Sequence, residues 1–186
     1  MNEADAIAQM KAGNIAGLKA LIQIYQVQAV QAAVLITRNQ PAAEDIVQNA
    51  FLRSFERIAQ FDPARPFGPW FLRTVINDAL KAASKQKRHV SLDIDEEEIY
   101  QKLIDKLESA ADEPEDLVQR SEMRRAVNEA LGKLSPRQRA VIVQRYYLGL
   151  SEREMSDELD CAPGTIKWNL NSARKRLKAL LMPFIE

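Results

Sequence analysis

The sequence predicts an all-α protein in which two small helical domains, the second a helix-turn-helix, are joined by an acidic linker. Six glycines, 6% aromatic residues and an abundance of Ala, Leu, Gln, Glu and Lys favour helix over strand. Apolar residues recur every three or four positions, which is the helical period. Residues 1–89 and 117–186 carry net charges of +4 and +5, whereas residues 90–116 carry −9. We therefore expect domains at 1–89 and 117–186, each facing a polyanion, and a linker at 90–116.

The composition excludes most catalytic and metal-binding classes. The chain has 186 residues but one cysteine and one histidine, so an internal disulfide and a multi-cysteine metal site are impossible. No nucleophile–base pair or phosphate-binding loop is recognisable, and we expect no enzymatic activity, metal, cofactor or small-molecule substrate. Cys161 is expected to be a small core residue in a turn.

The sequence also predicts where the protein is found. The N-terminus lacks the basic and apolar segments of a secretory signal. The most apolar stretch, Ile15–Ile36, contains Lys19 and four glutamines and is a poor membrane span. We expect a cytoplasmic protein without membrane insertion.

Three helices are predicted first. Residues 3–12 form a short helix, a longer one runs from Ile15 to near Asn39, where Pro41 disfavours its continuation, and a third spans Ala42–Gln60. The polar face of the third helix is either solvated or binds a partner, and periodicity leaves both open. The expected core residues are Ile15, Leu18, Ile22, Tyr25, Ala29, Ala33 and Ile36 on the second helix, and Ile46, Ala50, Phe51, Ser54 and Ile58 on the third.

The segment Phe61–Pro69 is unusual for a solvated turn. Three prolines stiffen it, and its aromatic residues either anchor it to the core or stack on an unpaired base. A helix from about Pro69 to Lys87 should bury Trp70, Thr74 or Val75, Ile76, Leu80 and Ala83. Its basic track suits phosphate contacts and one or two base contacts; the track comprises Arg73, Asn77, Lys81, Lys85 and Arg88.

The linker is predicted from its charge, and the first two helices after it are predicted from apolar periodicity and capping residues. Acidic runs at 95–98 and 112–116 flank a short amphipathic pattern and are expected to be a solvated tether. A helix from Leu117 to about Leu131 should bury Met123, Val127, Ala130 and Leu131. The next starts at a capping box, Ser135–Gln138, and ends near Gly149.

The last two helices predict a helix-turn-helix. A second capping box, Ser151–Glu154, opens a short helix to about Leu159, and after a tight turn Pro163 opens a helix to about Leu181. Ser156 is small where the two helices should cross. The final helix has an apolar stripe at Ile166, Leu170, Ala173, Leu177 and Leu180 and a basic track at Lys167, Asn171, Arg174 and Lys178. This combination favours DNA recognition.

These motifs resemble, over nearly the whole chain, a bacterial RNA polymerase sigma factor of the extracytoplasmic-function (group IV) type. Residues 43–55, AEDIVQNAFLRSF, are similar to the family's segment that docks on the clamp helices of the polymerase. Phe67, Trp70, Leu72-Arg73 and Asn77–Leu80 are similar to the part that opens and reads the −10 promoter element. Residues 131–177 are similar to the domain that reads the −35 element.

The resemblance implies a non-catalytic subunit that binds core RNA polymerase and promoter DNA, directs transcription initiation and is controlled by an anti-sigma factor. It implies a cytoplasmic protein, at the nucleoid when active or held at the inner membrane by an anti-sigma factor. The implied polymerase-binding residues are Asp45, Gln48, Asn49, Leu52 and Arg53. The implied −10 DNA-binding residues are Phe67, Arg73, Asn77, Lys81, Lys85 and Arg88. The implied −35 DNA-binding residues are Arg153, Gly164, Thr165, Lys167, Trp168, Asn171, Arg174 and Lys178.

Two other functions fit part of the sequence. One is a sigma-mimicking adaptor that sequesters an anti-sigma factor without binding DNA, and the basic tracks of both domains argue against it. The other is a free-standing helix-turn-helix regulator that binds duplex operators without polymerase. Trp168 and Asn169 stand where the resembled family usually has a Ser-Arg pair, so no −35 sequence can be transferred.

Overall fold

The structure is a computed structural model that describes residues 1–89 and 125–184. Within these ranges the regular structure is helical and no strand is present, so the all-α prediction is confirmed. The helices are α1 (Glu3–Lys11), α2 (Ile15–Thr37), α3 (Gln40–Glu56), α4 (Phe67–His89), α5 (residues 125–132), α6 (Pro136–Ile142), α7 (Glu152–Glu158) and α8 (Pro163–Leu181). The chain divides into two compact units, Met1–Ala83 and Ser84–Glu186. The predicted linker at 90–116, and Met123 with it, lie outside the described residues.

Asparagine caps fix where the first three helices begin. The side-chain oxygens of Asn2, Asn14 and Asn39 each accept a hydrogen bond from a backbone N–H in the first turn, at 2.8 to 2.9 Å. Such caps satisfy donors that have no partner within the helix. Pro41 lies in the first turn of α3, where its missing N–H costs nothing. The third helix therefore starts two residues earlier than predicted, at Gln40.

The first helix crosses the second at a glycine. A Cβ added to Gly17 would lie 2.2 Å from the carbonyl oxygen of Ala6 and 2.8 Å from the backbone nitrogen of Met10. No side chain larger than hydrogen fits there without separating the two helices. This contact buries Ala6 and Met10 and makes α1 part of the core.

The core of the first unit is an aromatic cluster packed on α2 and α3. The rings of Phe51 and Phe71 stack with their centroids 4.3 Å apart, and Phe67 lies 5.8 Å from Phe71. One core prediction was wrong, because Ile15 is 69% exposed. On α3, Val47 is fully buried, whereas its neighbour Ile46, which was predicted to face the core, is half-buried. Helix α4 also begins earlier than predicted, at Phe67.

By length and composition alone, α2 could cross a membrane. However, 44% of its most apolar window is buried inside the protein. Ala29, Ala32 and Ala33 have no exposed surface, because this side of the helix faces α1 and α3. These properties are those of a core helix.

In the second unit both predicted capping boxes are present. Ser135 with Gln138, and Ser151 with Glu154, exchange side-chain and backbone hydrogen bonds at the starts of α6 and α7. Helix α6 continues as a π-helical turn, Val143–Tyr147, which the sequence did not predict. Gly149 then takes a positive φ of 72°, which ends the segment.

The helix-turn-helix packs through small and apolar side chains. Ile166, Leu170 and Ala173 of α8 have no exposed surface, as predicted, while Leu177 and Leu180 are half-exposed. Ser156 is buried and its hydroxyl donates a hydrogen bond of 2.5 Å to the carbonyl oxygen of Cys161, which closes the turn. Cys161 itself is half-exposed, so it is less buried than expected.

A buried polar pair joins the π-helical turn to α7. The amide of Gln144 has no exposed surface and donates a 2.8 Å hydrogen bond to the carboxylate of Glu158. Leaving a buried polar group without a partner is costly, so this hydrogen bond favours the observed position of α7 on the π-helical turn.

Candidate nucleic-acid interfaces

Four of the predicted polymerase-binding residues form one exposed face of α3. Asp45, Gln48, Asn49 and Leu52 follow the spacing i, i+3, i+4 and i+7, which places them on the same side of a helix. Leu52 is 56% exposed among these polar side chains. An apolar side chain surrounded by hydrogen-bonding groups is typical of a contact surface.

The fifth predicted residue, Arg53, lies partly inside the unit. Its guanidinium forms an ion pair with the carboxylate of Asp78 on α4, and its side chain is 37% exposed. The other oxygen of Asp78 lies 3.8 Å from the ammonium of Lys81. Arg53 therefore ties α3 to α4, a role that the sequence did not indicate.

An exposed loop connects the two helices of this candidate interface. Residues 62–66 are exposed, whereas Phe61 and Phe67 on either side are 3% and 0% exposed. The carboxylate of Asp62 accepts a hydrogen bond from the backbone N–H of Ala64, 3.0 Å away, which folds the loop into a tight turn. The aromatic residues thus anchor the loop.

Phe67 requires a correction. It was predicted to contact −10 DNA, but its ring has no exposed surface and lies against Phe61, Trp70 and Phe71. A ring buried in this way cannot stack on a base. The half-exposed Trp70 is the aromatic side chain that remains accessible beside the loop.

The basic track of α4 is exposed where its side chains are described. Arg73, Lys81 and Lys85 are exposed, and Asn77 between them is half-buried. Each of these four residues follows the previous one by four positions, so the track winds slowly around the helix. The side chain of Arg88 lies outside the described residues.

All eight predicted −35 residues are exposed. Arg153 lies on α7, and the others lie on α8: Gly164, Thr165, Lys167, Trp168, Asn171, Arg174 and Lys178. Gly164, Trp168 and Asn171 follow the spacing i, i+4 and i+7 and lie opposite the buried stripe of Ile166, Leu170 and Ala173. Lys175, which was not among the predicted residues, extends this outward face by one turn. Its i+7 spacing from Trp168 would have identified it.

A tyrosine on the π-helical turn holds one of these residues. The Nε–H of Arg174 donates a 2.8 Å hydrogen bond to the hydroxyl of Tyr146, and its guanidinium carbon lies 5.7 Å from the ring centroid. Tyr146 is 62% exposed. The sequence did not predict this contact with Arg174, because it did not predict the π-helical turn on which Tyr146 lies.

The described residues 1–89 and 125–184 contain no group of three or more His, Cys, Asp or Glu side chains that could hold a metal ion. The candidate interfaces are the exposed polar and cationic surfaces of α3, α4 and α8 described above. They are suited to binding macromolecules.

Two family models and several known proteins match this chain. Residues 21–89 match the family model described as sigma-70 region 2, and residues 124–177 match the model described as sigma-70 region 4. The ECF RNA polymerase sigma factor SigW of Bacillus subtilis is 30% identical over 182 residues, covering 94% of this chain and 94% of that protein. The RNA polymerase sigma factor CnrH of Cupriavidus metallidurans is 29% identical, covering 97% of both chains.

A solved structure is also similar in fold. The structure of CnrH in complex with the cytosolic domain of CnrY superposes with a TM-score of 0.67 at 24% identity, covering 97% of both chains. At this identity the likeness supports the fold.

Proposed function

The chain belongs to the extracytoplasmic-function sigma factors of bacterial RNA polymerase, and we propose that its exposed faces on α3, α4 and α8 bind, in that order, core polymerase, the −10 element and the −35 element. As a sigma factor it is not an enzyme: it binds core polymerase and promoter DNA in the cytoplasm and directs transcription initiation. The residues that make each contact are the subject of the proposal.

The polymerase contact is assigned to Asp45, Gln48, Asn49 and Leu52. The observation that carries this assignment is the exposure of Leu52, because burying a leucine side chain contributes about 1.5–3 kcal/mol. The surrounding polar side chains would supply orientation. Arg53 is assigned a second role beside its predicted one, because its ion pair with Asp78 positions α3 relative to α4.

The −10 contact is assigned to the basic track of α4 and to the exposed loop at 62–66. Arg73, Lys81, Lys85 and Arg88 would bind phosphates, and Asn77 would contact a base edge. The loop, held between Phe61 and Phe67, would accept a base that leaves the duplex stack. Extruding a base costs a few kcal/mol, so a loop that is already ordered reduces the additional cost.

The −35 contact is assigned to the outward face of α8 and to Arg153. Lys167, Arg174, Lys175 and Lys178 would bind phosphates on either side of the groove. Gly164, Thr165, Trp168 and Asn171 lie in the first two turns of α8, the part of a recognition helix that enters the major groove.

Reconstitution with core polymerase tests the proposal. Core polymerase with this protein should transcribe a set of genomic fragments that share two sequence elements, and core polymerase alone should not. Sequencing the 5′ ends of the transcripts locates the start sites, and the sequences shared upstream of these sites are the two elements. Identical transcripts with and without the protein would contradict the proposal, and the sigma-mimicking adaptor would then be favoured.

A matched pair of variants tests the polymerase face. Leu52→Ala should weaken binding to core polymerase about tenfold or more, since truncating a buried anchor costs about 2 kcal/mol. Ile24→Ala, on α2, removes a similarly exposed apolar side chain, 47% against 56%, and should bind normally. If Leu52→Ala and Ile24→Ala lose the same affinity for core polymerase, the polymerase contact does not depend on this face of α3.

We further propose that an anti-sigma factor controls the protein. One solved structure of similar fold is the complex of the sigma factor RpoE with the anti-sigma factor NepR from Bartonella quintana, and in another CnrH is in complex with the cytosolic domain of CnrY. Such a partner would keep this protein from polymerase, in some cases at the inner membrane, and its release would allow the protein to reach the nucleoid. Affinity purification from resting cells, followed by addition of the captured partner to the transcription reaction, should abolish the transcripts.

A further inference from the structure

Trp168 exposes more apolar surface than a solvated helix requires. Its side chain is 67% exposed. It lies on the outward face of α8, opposite the buried residues Ile166 and Leu170. An indole has a large apolar surface with one polar N–H, so this position suits a contact that forms when a partner binds.

The residues around Trp168 favour a polyanion such as duplex DNA as the partner. Helix α8 contains five Lys and Arg and no acidic residue over Pro163–Leu181. Lys167 precedes Trp168, and Asn171 and Lys175 share its face. This composition fits a polyanion, whereas the apolar centre of a protein interface is depleted in charged residues.

One turn before the indole, at Gly164, the helix carries no side chain, and a Cβ built there would meet nothing within 4 Å. The backbone at the start of α8 can therefore approach a groove closely, with the indole as the bulkiest group on that face. The contacts that this ring can make consequently decide which base pairs are accepted there.

The chemistry of the indole limits those contacts. It has one N–H donor and no acceptor, so it cannot pair bidentately with a base edge as Arg or Asn does. Most of its surface is apolar, and the major groove offers one apolar group, the 5-methyl group of thymine. Packing of the indole on that methyl group removes both from water.

We propose that Trp168 is a specificity-determining residue that packs on the 5-methyl group of a thymine in the −35 element. The inference rests on the proposed function of α8. It adds a stated chemical feature, a methyl group at one position, that the promoters of this protein should share.

Methyl substitution in the DNA tests the inference with the holoenzyme. Thymines of the −35 element identified by transcript sequencing are replaced one at a time by deoxyuridine, which removes only the methyl group. At one position the wild-type holoenzyme should bind about fourfold more weakly, the effect of one methyl group returned to water. In a promoter variant with cytosine at that position, replacing it by 5-methylcytosine should strengthen binding by a similar factor.

Two variants separate the contact from general DNA affinity. W168A should bind thymine and deoxyuridine promoters equally, and because the side chain is exposed its unfolding midpoint should match that of the wild type. K175A should bind all sequences more weakly while retaining the methyl effect. Retention of the methyl effect in W168A, or its absence at every position in the wild type, would overturn the inference.

Failure of the inference differs from failure of the proposed function. Promoter-specific transcription that is insensitive to methyl groups would leave the sigma-factor function intact and remove the role of Trp168. A loss of core polymerase affinity in W168A, with unchanged promoter selection, would show that a protein covers the indole, and this too overturns the inference. Absence of promoter-specific transcripts would contradict the proposed function itself.

Discussion

The ammonium group of Lys11 donates a hydrogen bond to the backbone carbonyl of Phe61, with nitrogen and oxygen 3.0 Å apart. This bond joins α1 to the residue at which the exposed loop begins. At the other end of the loop, the ring of Tyr25 lies 3.0 Å from where a Cβ of Gly68 would be, and its hydroxyl donates to the carboxylate of Glu3. Helix α1 thus contacts one end of the loop directly and the other through Tyr25 of α2, although α1 lies outside the residues matched to sigma-70 region 2.

The first prediction concerns promoter opening. Lys11→Met removes one hydrogen bond from the start of the loop and should reduce the fraction of open promoter about fivefold, since such a bond contributes about 1 kcal/mol. Permanganate reactivity of unpaired thymines measures that fraction. A promoter with a preformed bubble should restore activity, because the loop then need not capture a base from the duplex.

Two further variants make this test specific. Lys11→Arg keeps a donor and should retain most of the activity, whereas Lys19→Met removes an exposed lysine from α2 and should have no effect. If the preformed bubble does not rescue Lys11→Met, the lysine acts on the stability of the unit and not on the loop.

The second prediction separates positioning from binding on α3. Arg53→Met should lower the free energy of unfolding of the first unit by about 1 kcal/mol or less, because the ion pair with Asp78 is partly exposed to water. Leu52→Ala should leave stability unchanged while weakening polymerase binding. Urea unfolding and polymerase affinity are measured for both variants, and a stability loss confined to Leu52→Ala would reverse the two roles.

The sequence predicted the helices well, because their signals are local. The capping boxes at Ser135 and Ser151 lie within four residues of each helix start, and both are present. The core of α3 shows where such signals fail: Ile46 and Val47 are adjacent and both apolar, and the packing between helices, which no local pattern contains, buries Val47 more deeply. The same tertiary packing buries Phe67.

The candidate interfaces were predictable to the extent that they depend on one helix. The outward face of α8 follows from spacing alone, and with it the exposure of Lys167, Trp168 and Asn171. Contacts between helices were not predictable. The pairs Arg53–Asp78 and Tyr146–Arg174 join residues 25 and 28 positions apart, which no periodic pattern brings together.

The third prediction concerns acid stability of the second unit. The hydroxyl and the backbone N–H of Ser151 donate hydrogen bonds to the carboxylate of Glu154, and they hold its pKa below the usual value. A pKa that is lower in the folded state contributes stability that is present above the unfolded value and lost as the pH falls through the folded value. Acidification below about pH 4.5 should therefore loosen the start of α7.

Glu154→Gln provides the comparison. Glutamine forms the same capping box, as Gln138 does at Ser135, but it does not titrate. Unfolding midpoints measured by circular dichroism at about pH 6 and about pH 3.5 should differ less for this variant than for the wild type. An equal difference in both proteins would show that other groups account for the acid sensitivity.

The fourth prediction concerns the arginine held by Tyr146. If Arg174 binds a −35 phosphate, Arg174→Ala should weaken binding to all promoters by a similar factor and should reduce the slope of log affinity against log salt by about one. Tyr146→Phe removes only the acceptor for the Arg174 Nε–H and keeps the ring beneath the guanidinium. It should weaken binding about two- to fivefold without changing the slope, because the charge remains and only its preorganisation is lost.

Lys133→Ala removes an exposed lysine in the turn after α5 and serves as the control for net charge. Because that control changes the net charge equally, an identical salt slope in Lys133→Ala and Arg174→Ala would mean that Arg174 contributes only general charge and that its contact with Tyr146 serves the fold.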